Sequence, residues 1–309
     1  MTLGQLPIDT LRARLRGPGL RLQIGPFIAL IRSTLSDVER SLSTLYAYHA
    51  VEPGEGGAHF TLRVDPPPNL RRFLRRQVQV TFDGRQPFLP LPRSMAPPLL
   101  EAGLNWCVGN FAHQYLVIHA ATLERHGWAL LMPAPPGSGK STLCAALVSR
   151  GWRLLSDEFA LVDVATGALV PIPRPVALKD ESIGLIRAWA PDTYLGQEVD
   201  NNEGERVAYM RPPVDSVNDV TTVLPGWIVI PRFAAGAGVT VDPMSRARAL
   251  MHLADNSFNY NFHGSQGFDS LAAIADRAPC CTLHYSDLEA GVRAVDAWSA
   301  RPQTVVHAP

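Results

Sequence analysis

Cysteine is scarce in this chain. Its 309 residues hold four: Cys107, Cys144, Cys280 and Cys281. None stands in a C-x-x-C spacing, which removes the common zinc and dithiol motifs. Cys280 and Cys281 are adjacent, a geometry that strains a direct disulfide. A reduced, cytoplasmic protein is the expectation. Charge is sparse too, at 18%, and 28 basic residues balance 28 acidic ones. That balance gives no reason to expect a nucleic acid or an anionic membrane as partner. Nor is there a run of about eighteen apolar residues, so no membrane span is expected. The opening stretch, Met1 to Asp9, lacks the positive-then-apolar order of a secretory signal. Hydrophobic residues, by contrast, make up 46% of the chain. That is the composition of a globular protein with one large core or two modest ones.

One stretch organises the rest. Ala134-Pro-Pro-Gly-Ser-Gly-Lys-Ser-Thr142 follows the apolar run Trp128–Met132 and opens the amphipathic run Leu143–Arg150. The pattern predicts strand, glycine loop, helix, which is the context of a P-loop. Backbone N–H groups at the positive end of a helix bind phosphate oxygens. Gly137 and Gly139 let the backbone come close, where a Cβ would intrude. Pro136, Gly137, Ser138, Gly139, Lys140, Ser141 and Thr142 are the candidate nucleotide-binding residues. Lys140 is placed to reach the β- and γ-phosphates, and the Ser141 hydroxyl to ligate a Mg²⁺ between them. Ala134 stands where the usual pattern has its first glycine.

Asp157 comes seventeen positions after Lys140. Gly151 sits where a helix ends, Trp152–Leu155 reads as a short strand, and Ser156-Asp157-Glu158 follows it. A right-handed strand–helix–strand crossover makes the two strands parallel, with their carboxyl ends on one edge. Asp157 and Glu158 are therefore expected beside the phosphates.

His119 upstream, the glycine loop, and Arg150-Gly-Trp-Arg-Leu-Leu-Ser-Asp-Glu158 together resemble the catalytic domain of the HPr kinase/phosphorylase family. The resemblance is closer still to the HPr kinase-related kinase A group. It extends to Leu104-Asn-Trp-Cys107, Pro173-Arg-Pro-Val-Ala-Leu-Lys179 and Asn256-Ser-Phe-Asn-Tyr260, and covers about residues 104 to 290. It implies an α/β fold like that of the HPr kinases and phosphoenolpyruvate carboxykinase, with a P-loop nucleotide-binding domain. It also implies an active-site role for His119, a proton-accepting role for Asp157 and a homo-oligomer. The family's acid pair is Asp-Asp; here it is Asp157-Glu158, and Glu158 is expected to support the metal. A histidine inside a strand is otherwise an ordinary core residue, and both readings of His119 stand at this point. His113 and His126 draw no functional expectation.

Read in order, residues 1–98 form a small α+β N-terminal domain, and residues 99–309 the catalytic domain. The first nineteen residues read as a solvated arm with a basic helical turn. Leu20–Ile24 and Phe27–Ile31 alternate as strands. Ser36-Asp-Val-Glu39 has the form of a capping box. Arg71, Arg72, Arg75 and Arg76 form a charge cluster, either a solvated face or a docking patch for an acidic peptide. A helix is expected over 99–111. Beyond the acid pair, Phe159–Asp163 and Ala168–Ile172 read as a hairpin. Arg174 and Lys179, cations in a proline-stiffened apolar segment, are candidates to offset charge at a γ-phosphate. Residues 190–206 read as a polar loop that could close over substrate. The expected helix Arg246–Asp255 presents Ala247, Leu250, Met251 and Ala254 on one face. Asn256–His263 alternates asparagine with aromatics. It is either a capped loop whose aromatics fill the core or a platform for an adenine.

These features together predict Mg²⁺-dependent phosphoryl transfer from ATP to a hydroxyl. By resemblance the acceptor is a serine of a protein or peptide. The glycine- and arginine-rich stretch that engages HPr is missing after the acid pair, so a partner other than HPr is expected. A small-molecule kinase and a nucleotide-gated assembly factor are the competing readings.

Overall fold

The computed structural model describes residues 1–54, 56–68, 76–200 and 204–300. Arg71, Arg72 and Arg75 of the basic cluster, and the end of the chain from Arg301, lie outside the described residues. The chain is mixed α/β and divides into two units. One comprises Met1–Phe111 with Pro173–Asn218; the other comprises Ala112–Ile172 with Asp219–Pro309. The division differs from the expected boundary after residue 98. The helix beyond that point and a later segment both belong with the N-terminal strands.

The first unit begins with helix α1 (Ile8–Arg16), which buries Leu11 and Leu15. Each buried leucine is worth about 1.5–3 kcal/mol relative to exposure. Strands β1 (Leu20–Ile24) and β2 (Phe27–Ser33) alternate buried and half-buried positions, as a one-sided sheet requires. Helix α2 (Ser36–Leu45) follows. Arg12 of α1 grips Glu39 of α2 with two hydrogen bonds, at 2.8 and 3.0 Å. Two expectations fall here. The lead-in is a packed helix rather than a solvated arm, because its leucines face inward. The capping box does not form, because the helix already includes Ser36 and Leu35 holds the cap position; Glu39 bonds Arg12 instead. Strands β3 (Phe60–Asp65), β4 (Gln77–Phe82) and β5 (Leu91–Pro92) complete a sheet in the order β1-β2-β3-β4-β5. Only β2 and β3 are parallel, since α2 makes the crossover between them. Helix α3 (Ala96–Phe111) buries Leu99, Leu100, Leu104 and, unusually, Glu101.

The chain then enters the second unit. Strand β6 (Leu116–Arg125) turns back into β7 (Trp128–Pro133). The two-residue turn uses His126 (φ 55°) and Gly127 (φ 81°), the left-handed pair that suits strand twist in a tight hairpin. From β7 the glycine loop leads into helix α4 (Lys140–Ser149), which Gly151 closes with φ 91°. Strands β8 (Arg153–Ser156) and β9 (Phe159–Val162) both pair antiparallel with β6, at its later and earlier halves respectively. They form one course along β6, interrupted at Asp157-Glu158. Since β6 is also antiparallel to β7, β8 runs parallel to β7, as the crossover predicts. Strand β10 (Leu169–Val170) forms the expected hairpin with β9.

Residues 173–218 return to the first unit. Strand β11 (Val176–Lys179), helix α5 (Glu181–Trp189), β12 (Val199–Asp200), β13 (Arg206–Met210) and helix α6 (Val214–Asn218) follow in order. The strands build a small antiparallel sheet, β11-β13-β12. Residues 190–206 are thus not wholly loop: β12 pairs with β13, and Glu198 bonds Arg187. Asn201, Asn202 and Glu203 lie outside the described residues.

Strand β14 (Leu224–Phe233) re-enters the second unit beside and parallel to β7, and β15 (Thr240–Met244) follows. Helices α7 (Arg246–Asp255) and α8 (Gly264–Arg277) lead to β16 (Cys280–Tyr285), parallel to β14, and to helix α9 (Leu288–Ser299). On α7 Ala249 and Leu253 are buried and Leu250 and Ala254 pack partly buried beside them, while Met251 is exposed, so the apolar face is turned slightly from the expected one. One core joins β6, β7, β9, β14, α7 and α8 through Leu116, Leu131, Ile228, Leu253, Leu271 and Ile274. All four cysteines are buried. Among the described residues, no helix is long and apolar enough to cross a membrane.

Candidate active site

The candidate site lies at the end of β7 in the second unit. Pro133 ends the strand and Ala134 is fully buried behind it. Ala134 does not have a positive φ, so that position tolerates a side chain where the usual pattern has glycine. Gly137 and Gly139 do have positive φ, 81° and 87°. A Cβ on Gly137 would meet nothing within 4 Å, whereas one on Gly139 would come within 2.5 Å of the Tyr285 hydroxyl. The loop therefore has an open side at Gly137 and a packed back at Gly139. Two further bonds hold that back in place. The Tyr285 hydroxyl donates to the Gly139 carbonyl at 3.2 Å, and the Phe233 N–H donates to the Ser138 carbonyl at 3.0 Å. Phe233 ends β14 and Tyr285 ends β16.

Gly139 caps α4 in the left-handed conformation. The first N–H groups of any helix lack an intrahelical acceptor. Here they belong to Lys140, Ser141 and Thr142, at the positive end of the helix dipole. The Ser138 hydroxyl is buried with no hydrogen-bond partner among the described residues. A donor-rich concavity of this kind fits a chain of phosphates.

Three side chains meet in front of it. Lys140 is buried, and its Nζ lies 2.8 Å from His119 Nε2. Glu158 Oε2 lies 3.3 Å from the same nitrogen. The histidine comes from β6, the lysine from α4 and the glutamate from the break between β8 and β9. That break is shaped by the Ser156 hydroxyl, which accepts from the N–H groups of Glu158 and Phe159 at 3.3 and 3.0 Å. The Glu158 carbonyl accepts from Ala120 N–H at 3.2 Å, fastening the break to β6. Asp157, the other member of the acid pair, is buried. It bonds the thiol of Cys144, one turn along α4 from Lys140. Burial, then the Asp157 charge, pushes that thiol well above its ordinary pKa. Cys144 is thus a neutral donor to the carboxylate.

The shared histidine nitrogen constrains the chemistry. As an acceptor from the Lys140 ammonium, Nε2 carries no proton, and its lone pair is used. As a donor to Glu158, it carries the proton and faces the lysine as one donor faces another. One nitrogen does only one of these at a time. His119 is half-buried between the two charges, with its ring 6.2 Å from that of Phe258.

Of the expected site residues, His119, Lys140, Ser141, Asp157 and Glu158 belong to this unit, and His119, Lys140 and Glu158 are in contact. Arg174 and Lys179 belong to the other unit. The Arg174 guanidinium is buried, bonds Asn105 and pairs with Glu101 at 3.3 Å, while Glu101 accepts from the buried Tyr46 hydroxyl at 2.8 Å. Its surroundings are those of a sealed structural pair. Lys179 pairs at the surface with Glu205, at 2.9 Å. Among the described residues, no group of three or more His, Cys, Asp or Glu could hold a metal ion. A Mg²⁺ held by Ser141 and Glu158 would need oxygens from a bound nucleotide and water, which is how this ion is commonly held in phosphoryl-transfer sites.

Two readings of the Asn256–His263 stretch were open from its sequence, and the structure resolves one part of it. Asn259 is buried and bonds the edge of β6, accepting from Val117 N–H at 2.8 Å and donating to the Tyr115 carbonyl at 2.9 Å. Phe258 and Phe262, however, do not fill the core; both are exposed. No known family's sequence pattern matches the chain, and no curated protein is similar to it.

Proposed function

We propose that the second unit is a P-loop kinase domain of the HPr kinase type, which transfers the γ-phosphoryl group of ATP to a hydroxyl. The acceptor in this reading is a serine of a protein or peptide other than HPr, and the setting is the cytoplasm. The observation that carries the reading is the meeting of Lys140, His119 and Glu158 in front of a glycine loop whose open side can take phosphates.

In this reading the first-turn N–H groups of α4 and the Ser138 hydroxyl bind the phosphate oxygens. Lys140 sets its ammonium against the terminal phosphate, with His119 fixing the direction of the lysine. Ser141 and Glu158 would hold a Mg²⁺, which would supply positive charge to offset the phosphate oxygens. Asp157 accepts the proton of the acceptor hydroxyl as its O–P bond forms and the bond to the ADP oxygen breaks. A loose transition state releases that proton late, so a weak, well-placed carboxylate suffices.

The test is transfer from γ-labelled Mg·ATP into a lysate of the source organism, beside Lys140→Ala. Label on a discrete protein or peptide band, absent with the variant, is the expected result. Label in a small metabolite alone would overturn the serine acceptor, and label released only as phosphate would overturn the kinase.

A further inference from the structure

Phe258 is a large apolar side chain left 55% exposed beside the candidate site. Single exposed aromatics are common and carry no meaning alone. This one differs in how it is held. Its own N–H donates to the Val117 carbonyl at 2.9 Å. The neighbouring Ser257 hydroxyl donates to that same carbonyl at 3.2 Å, and the Asn256 carbonyl accepts from His119 N–H at 2.7 Å. With the two Asn259 bonds to β6 and its approach, residues 256–259 are fastened to the strand that carries His119. The ring itself packs edge-on against Phe159, at 5.7 Å between centroids, and tilts against His119 at 6.2 Å. It is a fixed aromatic surface with one side packed and one side open.

Its place relative to the phosphates gives it a role. The lysine of such a loop reaches the β- and γ-phosphates, not the base. His119 touches that lysine and Phe258 touches His119. The open side of Phe258 therefore borders the approach to the terminal phosphate, where the acceptor enters. An apolar wall at that approach suits an acceptor with an apolar group next to its hydroxyl.

We infer that Phe258 is the acceptor-side specificity residue, and that the preferred acceptor is a serine peptide with an apolar side chain adjacent to the serine. The inference rests on the kinase reading above and narrows its substrate.

A synthetic peptide library with a fixed serine and varied neighbours, phosphorylated by the full chain with γ-labelled Mg·ATP, tests it. Wild type should favour apolar neighbours by roughly 10-fold, the scale on which an apolar pocket discriminates. Phe258→Ala should lose that preference, and Phe258→Tyr should keep it. The KM for ATP should stay unchanged in both variants, which also shows that each is folded. A preference that survives in Phe258→Ala would overturn the inference. So would a rise in ATP KM of similar size, which would make the ring a platform for the base. If wild type hydrolyses ATP but labels no peptide, the serine reading itself fails and takes the inference with it. Labelling of peptides without any neighbour preference leaves the kinase reading standing and removes only the role of Phe258.

Discussion

Two clusters of charge in this chain look alike on paper and differ in what surrounds them. In the first unit, Arg174, Glu101 and Tyr46 form a network in which the arginine and glutamate side chains are 8% and 4% exposed. In the second, Lys140, His119 and Glu158 meet with the histidine and glutamate 25% and 31% exposed, beside a loop with an open side. The first cluster is sealed, and each charge is already bonded to the other. A buried pair of that kind contributes little net stability, but breaking it leaves a charge with no compensation. The second cluster asks one histidine nitrogen to serve two opposite charges. The sealed pair is costly to break, whereas the second cluster is reachable from solvent.

The largest expected effect is at Asp157, next to Glu158 of the open cluster. Asp157→Asn removes the proposed proton acceptor and should lower phosphoryl transfer by about 10²- to 10⁴-fold, the usual worth of a positioned acid or base. Its affinity for Mg·ATP should stay near that of wild type. Unchanged turnover would remove Asp157 from the mechanism.

Arg174→Ala should act on stability instead. It strands Glu101 in the interior, a loss of about 3–5 kcal/mol for a broken buried pair. Denaturant unfolding measures this. Replacing both partners, as Arg174→Met with Glu101→Gln, should restore most of the loss. A variant that is fully stable but inactive would favour Arg174 as a group acting on phosphate.

A smaller effect comes from His49, in the same unit. It is buried, donates from Nε2 to the Pro173 carbonyl at 2.9 Å, and burial pulls its pKa down to about 4. The unfolded chain takes up this proton near pH 6.5, but the folded unit resists it until about pH 4. Stability attributable to His49 is therefore complete above pH 6.5 and is lost as pH falls toward 4, by up to about 3 kcal/mol. His49→Gln should flatten that part of the pH–stability curve. An unaltered curve would show that other groups produce it.

What was legible in the sequence follows from how local each cause is. The glycine loop, its helix and the turn at Gly151 depend on backbone conformations that only a few residue types adopt, so their spacing shows directly. The approach of Asp157 and Glu158 to the loop follows from one short crossover. Arg174 was not legible in this way. Its burial depends on Glu101, which lies 73 positions earlier on another element. The capping box failed because the helix starts at Ser36 itself, and Glu39 is bonded to Arg12 on a different helix. On α7, Leu250 and Ala254 of the expected stripe pack against the core, but Ala249 and Leu253 are the buried residues and Ala247 and Met251 are exposed. For Phe258 the alternation of asparagine and aromatic residues was the only signal. It could not say that Phe258 and Phe262 would face outward while Tyr260 packs against the core.

The central claim is that the open cluster, not the sealed one, handles nucleotide. Calorimetric titration of Mg·ATP into wild type, Lys140→Ala and the Arg174→Met/Glu101→Gln double variant tests it most directly. The account predicts binding by wild type and by the double variant with similar affinity, and a loss of at least about 10-fold for Lys140→Ala, in line with removal of a charge-assisted phosphate contact. Binding that survives in Lys140→Ala and disappears in the double variant would contradict it.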